Sequence, residues 1–402
     1  MRPVILTYST FDVSGIQTQM LLLANAAVDM GIPVTIFALK GGLETFLDER
    51  VVFIEPENYR RYDQDITRYI LEHKLTNPII WASHPFELGR LFAVSRRLAR
   101  VGVACSTCVG VYHPRACFKP EDSAITEAMC RLNFFGAEPH QVYFMSEAVK
   151  QSHEVRWGPF VKPHEVAPII LPDRQTAGNG AGERKRIVSI GRLVPWKSYN
   201  ASIPAIAKAL SNQELDFVWD VYGNGPLLDG LRHEVDTLGL GDRVVFHGTV
   251  DFTDLDRVLS SADLFIGMGT SMLEAAIRRV PCIVAVDSSA WYCYGMLTDV
   301  PAGNIGEIQG HAPNVAIKDL VDEVLHLPLP ERRAVGDQCY SIARSQSLTP
   351  DAFARQLQDL PQDQASRLIK ALASMVFFIY QGLPRPRRLM SLLRLGRKKI
   401  YG

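Results

Sequence analysis

Short apolar runs rich in β-branched residues alternate with stretches of helical periodicity along most of the chain. In the first half, Val4–Ser9 and Val34–Leu39 have the composition of buried strands, and Ile16–Met30 repeats its apolar residues at helical spacing. Strands and helices that alternate in this way are typical of parallel α/β units. The pattern therefore predicts a Rossmann-like domain in the first half of the chain.

A second series of the same kind follows a polar, glycine-rich break at Asp173–Glu183. Because this break has no periodicity, it predicts an interdomain linker. We expect an N-terminal domain at 1–172, a linker at 173–184, a C-terminal domain at 185–360, and a helix with a basic tail at 361–402. Ligands bind at the carboxyl ends of such sheets, so two facing domains predict a cleft between those ends.

The predicted elements share the lengths and composition of buried strands and amphipathic helices. Further strands are expected at Val51–Ile54, Ile79–Ala82, Val103–Tyr112, Val142–Met145, Arg186–Ile190, Phe217–Tyr222, Val244–His247, Leu264–Met268 and Cys282–Val286. Further helices are expected at Asp63–His73, Glu87–Ala99, Ser123–Leu132, Glu147–Val155, Ala201–Leu210, Leu227–Leu238, Leu255–Ser260, Met272–Arg279 and Ile317–Leu325.

The charge balance argues against a nucleic-acid partner, because 43 basic residues face 43 acidic residues among the 402. Basic residues nevertheless concentrate near the C-terminus, at Arg385, Arg387, Arg388, Arg394, Arg397, Lys398 and Lys399. Interleaved with leucines, they predict contact with an anionic membrane surface, with a solvated end as the alternative. The preceding helix, Leu368–Ile379, is expected to pack back on the protein.

Several absences in the sequence indicate a cytoplasmic protein, peripheral at the inner face of a membrane if the tail binds there. The N-terminus has no signal-peptide pattern, and no apolar run is long enough to span a bilayer. Seven cysteines without framework spacing predict reduced thiols, and the pair Cys105 and Cys108 is expected to be structural.

The strongest chemical signal is the segment Ser189–Lys197, in which a predicted strand ends at Gly191 and is followed by Arg192 and Lys197. An arginine and a lysine that leave one strand end can converge on an anion such as a diphosphate. The alternative is two solvated cations on a loop. A second signal is Gly267–Ala276, where glycines precede Thr270 or Ser271 as a helix N-cap, and helix amides can face a phosphate.

These segments, in their order, resemble glycosyltransferase family 4, the group 1 glycosyl transferases, a large retaining family with the GT-B fold. The matching stretches are Gly191-Arg192-Leu193 with Lys197, Val221–Pro226, Val245–Val250 and Ser261–Phe265. The resemblance implies that Arg192 and Lys197 bind the donor diphosphate and assist the leaving group. It also implies a transfer on one face of the sugar, in which the leaving diphosphate helps to deprotonate the acceptor.

The resemblance assigns further roles. Glu274 would bind the ribose, and Gly223, Val250, Thr270 and Ser271 would line the donor site. Gly15 lies in a glycine loop that would close over the donor phosphate, with a plain strand–helix turn as the alternative. His113 follows a predicted strand and would stand beside the reacting sugar, with His84 as the competing candidate.

One position departs from the family pattern, which has a second glutamate eight residues before the one at Glu274. Ile266 occupies that position, so the group that contacts the donor sugar in the family is missing. Thr270, Ser271 or a residue of the other domain can substitute, and the sequence does not choose among them.

The expected function is transfer of a sugar from a nucleotide diphosphate sugar, with UDP or GDP as the nucleotide and no resident cofactor. The acceptor would be a glycan or a lipid-linked molecule in cell-surface polysaccharide or glycoconjugate synthesis. No Asp-x-Asp stands in a donor loop, which predicts metal independence. The alternatives are a catalytically silent nucleotide-sugar or glycan-binding subunit and a GT-B epimerase.

Overall fold

The computed structural model describes residues 1–56, 62–118, 124–158, 165–173, 184–213, 215–308 and 310–363. The chain divides into two compact units. The first unit comprises Met1–Asp12, Leu23–Ala167 and the chain from Ala354 onward, and the second comprises Val13–Leu22 and Pro168–Phe353. The division differs from the sequence-based one because the chain re-enters the first unit at Ala354, before residue 361.

The first unit contains a parallel sheet flanked by helices. Its strands are β1 (Val4–Asp12), β2 (Val34–Gly41), β3 (Val52–Ile54), β4 (Ile79–Ala82), β5 (Ser106–Val111), β6 (Val142–Phe144) and β7 (Glu165–Val166). They lie in the order β3-β2-β1-β4-β5-β6-β7, which is the doubly wound order of a Rossmann-like sheet. Its helices are α2 (Tyr62–Glu72), α3 (Leu88–Arg100), α4 (Ala124–Gly136) and α5 (Glu147–Trp157), together with the second half of α1 (Gly15–Asp29).

The strands of this sheet are apolar on both faces, as strands covered by helices on both sides must be. All four residues of β4 are buried, and so are all six of β5. The core between sheet and helices includes Ile66, Leu91 and Phe134, none of which is exposed.

The second unit repeats this plan on a smaller scale. Its strands are β8 (Ile169–Ile170), β9 (Lys185–Ile190), β10 (Phe217–Tyr222), β11 (Val244–Gly248), β12 (Leu264–Gly267), β13 (Cys282–Val284), β14 (Tyr292–Cys293), β15 (Val315–Ala316) and β16 (Ser347–Leu348). The main sheet is parallel in the order β11-β10-β9-β12-β13. Its helices are α6 (Tyr199–Ser211), α7 (Leu228–Thr237), α8 (Leu255–Ser260), α9 (Thr270–Ala276), α10 (Ile317–His326) and α11 (Leu329–Ser345).

The end of the described chain belongs to the first unit. The last described helix is α12 (Pro350–Gln358), and its C-terminal part groups with β1 and its neighbours. The Arg2 guanidinium donates to the Leu360 carbonyl at 2.6 Å, and the Asp363 carboxylate accepts from the Thr107 amide at 3.0 Å. The predicted helix Leu368–Ile379 and the basic tail lie outside the described residues, as does the predicted linker between Asp173 and Arg184.

The expectation that every cysteine is a reduced thiol is wrong for one pair. Cys117 and Cys130 form a disulfide in the first unit, with Cα atoms 6.3 Å apart. Cys130 lies in α4, and the disulfide joins this helix to the segment that follows β5. The other five cysteines form no disulfide and are buried, which is consistent with a structural role for Cys105 and Cys108.

Candidate functional site

The loop after β9 brings Arg192 and Lys197 to the carboxyl end of the second unit's sheet. The centroid of the Trp196 ring lies 5.7 Å from Arg192 Cζ and 5.6 Å from Lys197 Nζ, within reach of cation–π attraction. The Asn200 side chain donates to the Arg192 carbonyl at 3.4 Å and helps to close the loop. The two cations thus lie near the same ring after one strand end, and their convergence on an anion stays a prediction.

The electrostatics of Lys197 favour the binding of an anion. Burial and the nearby Arg192 guanidinium lower the pKa of Lys197 to about 8. Within the described residues, neither cation pairs with a carboxylate. The two like charges repel one another, and a bound anion would relieve that repulsion.

Close contact between the backbone segments that follow β9 and β10 requires glycine at Gly223. Its φ is 153°, and a Cβ there would collide with the Gly191 carbonyl oxygen. The Gly191 amide donates to the Tyr222 carbonyl at 2.9 Å, and the Leu193 amide donates to Asn224 at the same distance. Gly223 thus shapes the backbone under the cationic loop. Val250 follows β11 in the next loop, after Thr249.

Helix α9 begins differently from the sequence prediction. Gly269, with φ 77°, is the N-cap, and Thr270 is the first helical residue, so the assignment of the cap to Thr270 or Ser271 is wrong. Gly269 takes the cap because its backbone conformation is strained for any residue with a Cβ. The Ser271 hydroxyl instead donates to the Ile190 carbonyl at 2.9 Å and joins α9 to the end of β9.

Gly15, the first residue of α1, lies against Thr270. A Cβ on Gly15 would stand 2.6 Å from Thr270 Oγ1, closer than real Cβ atoms come. Both residues belong to the second unit, although the second half of α1 belongs to the first. The structure therefore brings the glycine loop together with the predicted donor-binding helix.

Glu274 lies one turn into α9 and is nearly buried. Its Oε2 accepts from Arg278 Nη1 at 2.7 Å, and the Arg278 side chain is 1% exposed. The same guanidinium donates from Nε to Asp256 at 2.8 Å. Glu274 is thus held in a fixed orientation by a buried arginine. Sequence analysis missed this partner, although Arg278 stands four residues after Glu274, at the spacing of a helical ion pair.

The Tyr199 hydroxyl is a polar group near the site that sequence reasoning missed. Tyr199 begins α6, its side chain is 2% exposed, and its hydroxyl has no hydrogen-bond partner among the described residues. The hydroxyl lies 3.7 Å from the Cβ position of Gly191 and 3.7 Å from that of Gly267. Nothing in the sequence indicates that an aromatic residue at the start of a helix places its hydroxyl beside two strand ends.

His113 lies in the first unit, whereas the other predicted site residues lie in the second. Its Nδ1 accepts from the Arg115 amide at 3.0 Å, and His84 makes the equivalent contact with the Phe86 amide at 3.2 Å. In both residues an engaged Nδ1 leaves the proton of the neutral ring on Nε2. The two histidines follow the neighbouring parallel strands β5 and β4, so local geometry does not separate the two candidates.

Comparison with known families finds a match in the second half of the chain. Residues 173–291 match the model of the glycosyl transferases group 1 family. This region is therefore similar to the glycosyl transferases of group 1. A GDP-mannose-dependent alpha-(1-6)-phosphatidylinositol monomannoside mannosyltransferase of Mycolicibacterium smegmatis is 25% identical over 191 residues, or 42% of this chain and 50% of the relative. The protein of the same description from Mycobacterium tuberculosis is 27% identical over 175 residues, 37% of this chain and 44% of the relative. The chain thus spans about half the length of the curated relatives it matches.

Solved structures show that the fold is GT-B. HepE of Anabaena, in complex with UDP and glucose, aligns with a TM-score of 0.65 at 14% identity over 89% of this chain and 99% of that one. Sucrose-phosphate synthase of Thermosynechococcus elongatus aligns with a TM-score of 0.64 at 14% identity, over 90% and 98% of the two chains. The predicted GT-B architecture and the predicted family resemblance are both confirmed.

Two searches of the described residues complete the description. No helix among them is long and apolar enough to cross a membrane. The same residues contain no cluster of three or more histidine, cysteine, aspartate or glutamate side chains arranged to hold a metal ion.

Proposed function

We propose that the protein is a glycosyltransferase that moves a sugar from a nucleotide diphosphate sugar to a glycan or lipid-linked acceptor. The observation that carries the proposal is the pair Arg192 and Lys197, two cations that lie together at a strand end with no carboxylate partner among the described residues. A diphosphate supplies the negative charge that this pair lacks. Charge-assisted contacts of this kind contribute roughly 1.5–3 kcal/mol each.

In the proposed reaction, the bond between the sugar C1 and the donor phosphate oxygen breaks, and a bond from C1 to the acceptor oxygen forms. The electron pair of the broken bond stays on the leaving diphosphate, whose negative charge Arg192 and Lys197 stabilise. The acceptor proton passes to the leaving diphosphate, so the new bond forms on the same face and configuration is retained. His113 is proposed to orient the acceptor hydroxyl through its Nε2.

The remaining donor contacts are proposed from the arrangement of the second unit. The first amides of α9, that of Ser271 included, have no acceptor within the helix and can donate to a phosphate together with the Thr270 hydroxyl. Glu274, oriented by Arg278, would accept hydrogen bonds from the ribose hydroxyls. Two cations supply charge stabilisation at the diphosphate, which supports transfer without a metal ion. Retained activity in excess chelator would agree with this proposal.

The nucleotide is proposed to be GDP or UDP. The curated relatives are named as GDP-mannose-dependent, and HepE was solved with UDP. Both bases are therefore tested in the deciding experiment. The cell-surface pathway, and the association of the basic tail with an anionic membrane, stay proposals that vesicle binding by the full chain would test.

Ligand-induced thermal stabilisation is the deciding experiment. Wild type, Lys197→Ala and Lys208→Ala are compared with UDP, GDP, ADP and their common sugars. A ligand at about 100 times its dissociation constant should stabilise the fold by about 2.7 kcal/mol. We expect one nucleotide to stabilise wild type and the Lys208→Ala control, which changes an exposed lysine of α6. Loss of the shift in Lys197→Ala completes the expected result, and no shift with any nucleotide in wild type would contradict the proposal.

One observation favours a second candidate, a catalytically silent subunit that binds nucleotide sugars. Ile266 is fully buried in β12 at the position of the missing glutamate, so that residue contributes no polar group to the donor sugar. Turnover measured at saturating donor separates the two functions. Slow hydrolysis of the nucleotide sugar by wild type, absent in Lys197→Ala, would exclude the silent subunit, whereas binding without turnover would favour it.

A further inference from the structure

We propose that the Tyr199 hydroxyl donates a hydrogen bond to the diphosphate of the bound donor, beside the Lys197 ammonium. This inference rests on the proposed function and adds to it a residue that positions the leaving group. Neither the sequence pattern nor the family resemblance singles out Tyr199.

The first argument is the state of the hydroxyl. Buried tyrosine hydroxyls usually find a hydrogen-bond partner, because an unsatisfied buried donor is unfavourable. The Tyr199 hydroxyl has none among the described residues, although the side chain is 2% exposed. Burial also raises the pKa of Tyr199 above its ordinary value. The phenol therefore keeps a proton that it can donate at neutral pH.

The second argument is location. Gly191 follows β9 and Gly267 ends β12, and these strands are parallel neighbours in the sheet. The hydroxyl lies 3.7 Å from the Cβ position of each glycine, and Lys197 Nζ lies 2.9 Å from that of Gly191. Two donors thus meet at a strand end where neither strand contributes a side chain. Ligands of open parallel sheets bind at such ends.

The third argument is chemical and selects an oxyanion as the ligand. A neutral ligand would leave the charges of Lys197 and Arg192 uncompensated, whereas a diphosphate oxygen accepts from an ammonium and a phenol at once. The Lys197 ammonium stands on a flexible four-carbon side chain. The ammonium can therefore turn toward an oxyanion near the Cβ position of Gly191, where the Tyr199 hydroxyl also lies.

Tyr199→Phe tests this proposal, because it removes only the hydroxyl. Calorimetric titrations with UDP, GDP and inorganic diphosphate are compared with thermal unfolding in the absence of ligand. We expect the affinity for the diphosphate group to fall about tenfold, as for loss of one hydrogen bond. We expect the melting temperature without ligand to stay the same or rise, because an unsatisfied buried group is removed.

Tyr294→Phe is the matched control in the same unit. The Tyr294 hydroxyl donates to the His311 carbonyl at 2.6 Å, so its loss should lower the melting temperature and leave diphosphate affinity unchanged. Affinity in Tyr199→Phe equal to that of wild type would overturn the inference and leave the proposed function standing. A weaker affinity accompanied by a melting temperature as low as that of Tyr294→Phe would indicate a structural role and also overturn it. Wild type that binds none of the three ligands refutes the proposed function itself, before any variant is compared.

Discussion

Arg278 Nη1 donates to Glu274 Oε2 at 2.7 Å, and this buried ion pair fixes the carboxylate that the family resemblance assigns to the donor ribose. The guanidinium is anchored from its other side by Asp256. A carboxylate that is already oriented loses little conformational freedom when a ligand binds. The pair therefore connects a packing feature of α9 to the proposed donor site.

Glu274→Gln is expected to lower nucleotide affinity about tenfold, because an amide replaces the charged acceptor of the ribose hydroxyls. Asp256→Asn is the matched control, since it changes the other carboxylate on Arg278 and leaves Glu274 in place. Titration calorimetry with the nucleotide that stabilises wild type measures both. Equal losses in the two variants would show that the effect comes from Arg278 packing and not from the ribose contact.

The low pKa of Lys197 predicts a pH dependence of donor binding. Burial and Arg192 lower this pKa to about 8, and a bound diphosphate raises it again because it favours the ammonium. Nucleotide affinity should therefore fall as the pH rises through about 8, and binding above that pH should take up a proton. Calorimetry in buffers of different ionisation enthalpy measures this uptake.

Lys197→Arg supplies the control for that pH dependence, because a guanidinium stays charged throughout the range. Its nucleotide affinity should stay flat where that of wild type falls. The stability of the ligand-free protein should change with pH in the opposite direction to nucleotide affinity. The unfolded chain binds more protons than the folded one between the lowered pKa and the ordinary value of 10.5, so stability rises with pH there. A flat affinity profile in wild type would contradict the assignment of Lys197.

Most of the main strands were predictable from the sequence, because buried parallel strands are short apolar runs. Ile79–Ala82 and Phe217–Tyr222 have the predicted bounds. Helix α11 was missed, although it is the longest of the described helices. Its buried face consists of Arg332, Gly336, Cys339 and Ala343, and hydrophobic periodicity does not register such residues.

Tertiary contacts explain why that face is not hydrophobic. Arg332 binds the buried Asp263 at 2.7 Å, and a Cβ on Gly336 would collide with the Arg279 carbonyl oxygen. In the candidate site, too, contacts between elements that are distant along the chain could not be predicted from the sequence. Arg192 and Lys197 follow one strand, so the sequence alone brings them together, whereas the location of the Tyr199 hydroxyl depends on the pairing of β9 with β12.

The disulfide between Cys117 and Cys130 predicts that a reductant lowers the stability of the first unit. The cross-link closes a loop with a sequence separation of 13, and a loop of this size typically contributes about 3 kcal/mol. Thermal unfolding with and without reductant measures the difference, and mass spectrometry after thiol alkylation counts the free cysteines. The double variant Cys117→Ala, Cys130→Ala should not respond to reductant. Seven alkylated cysteines in the native, non-reduced protein would refute the prediction.

The contact between Gly15 and Thr270 predicts that Gly15→Ala is destabilising, although alanine is the better helix former. The new Cβ would stand 2.6 Å from Thr270 Oγ1, and overpacking of this kind typically costs about 1–3 kcal/mol. Gly230→Ala is the control, because a Cβ at this exposed position in α7 meets nothing within 4 Å. Helix propensity alone then predicts a gain of up to about 1 kcal/mol for Gly230→Ala.

A double-mutant cycle with Thr270→Ala isolates this contact. If the Thr270 side chain causes the cost, Gly15→Ala should be nearly neutral in the Thr270→Ala background, as measured by chemical denaturation of all four proteins. The single Gly15→Ala variant should also bind nucleotide more weakly than wild type, because it displaces the start of α9 from the proposed phosphate position. An equal loss of unfolding free energy on Gly15→Ala in both backgrounds would show that the Thr270 side chain does not cause the destabilisation. The proposed effect of Gly15→Ala on α9 and on nucleotide binding would then have no contact to explain it.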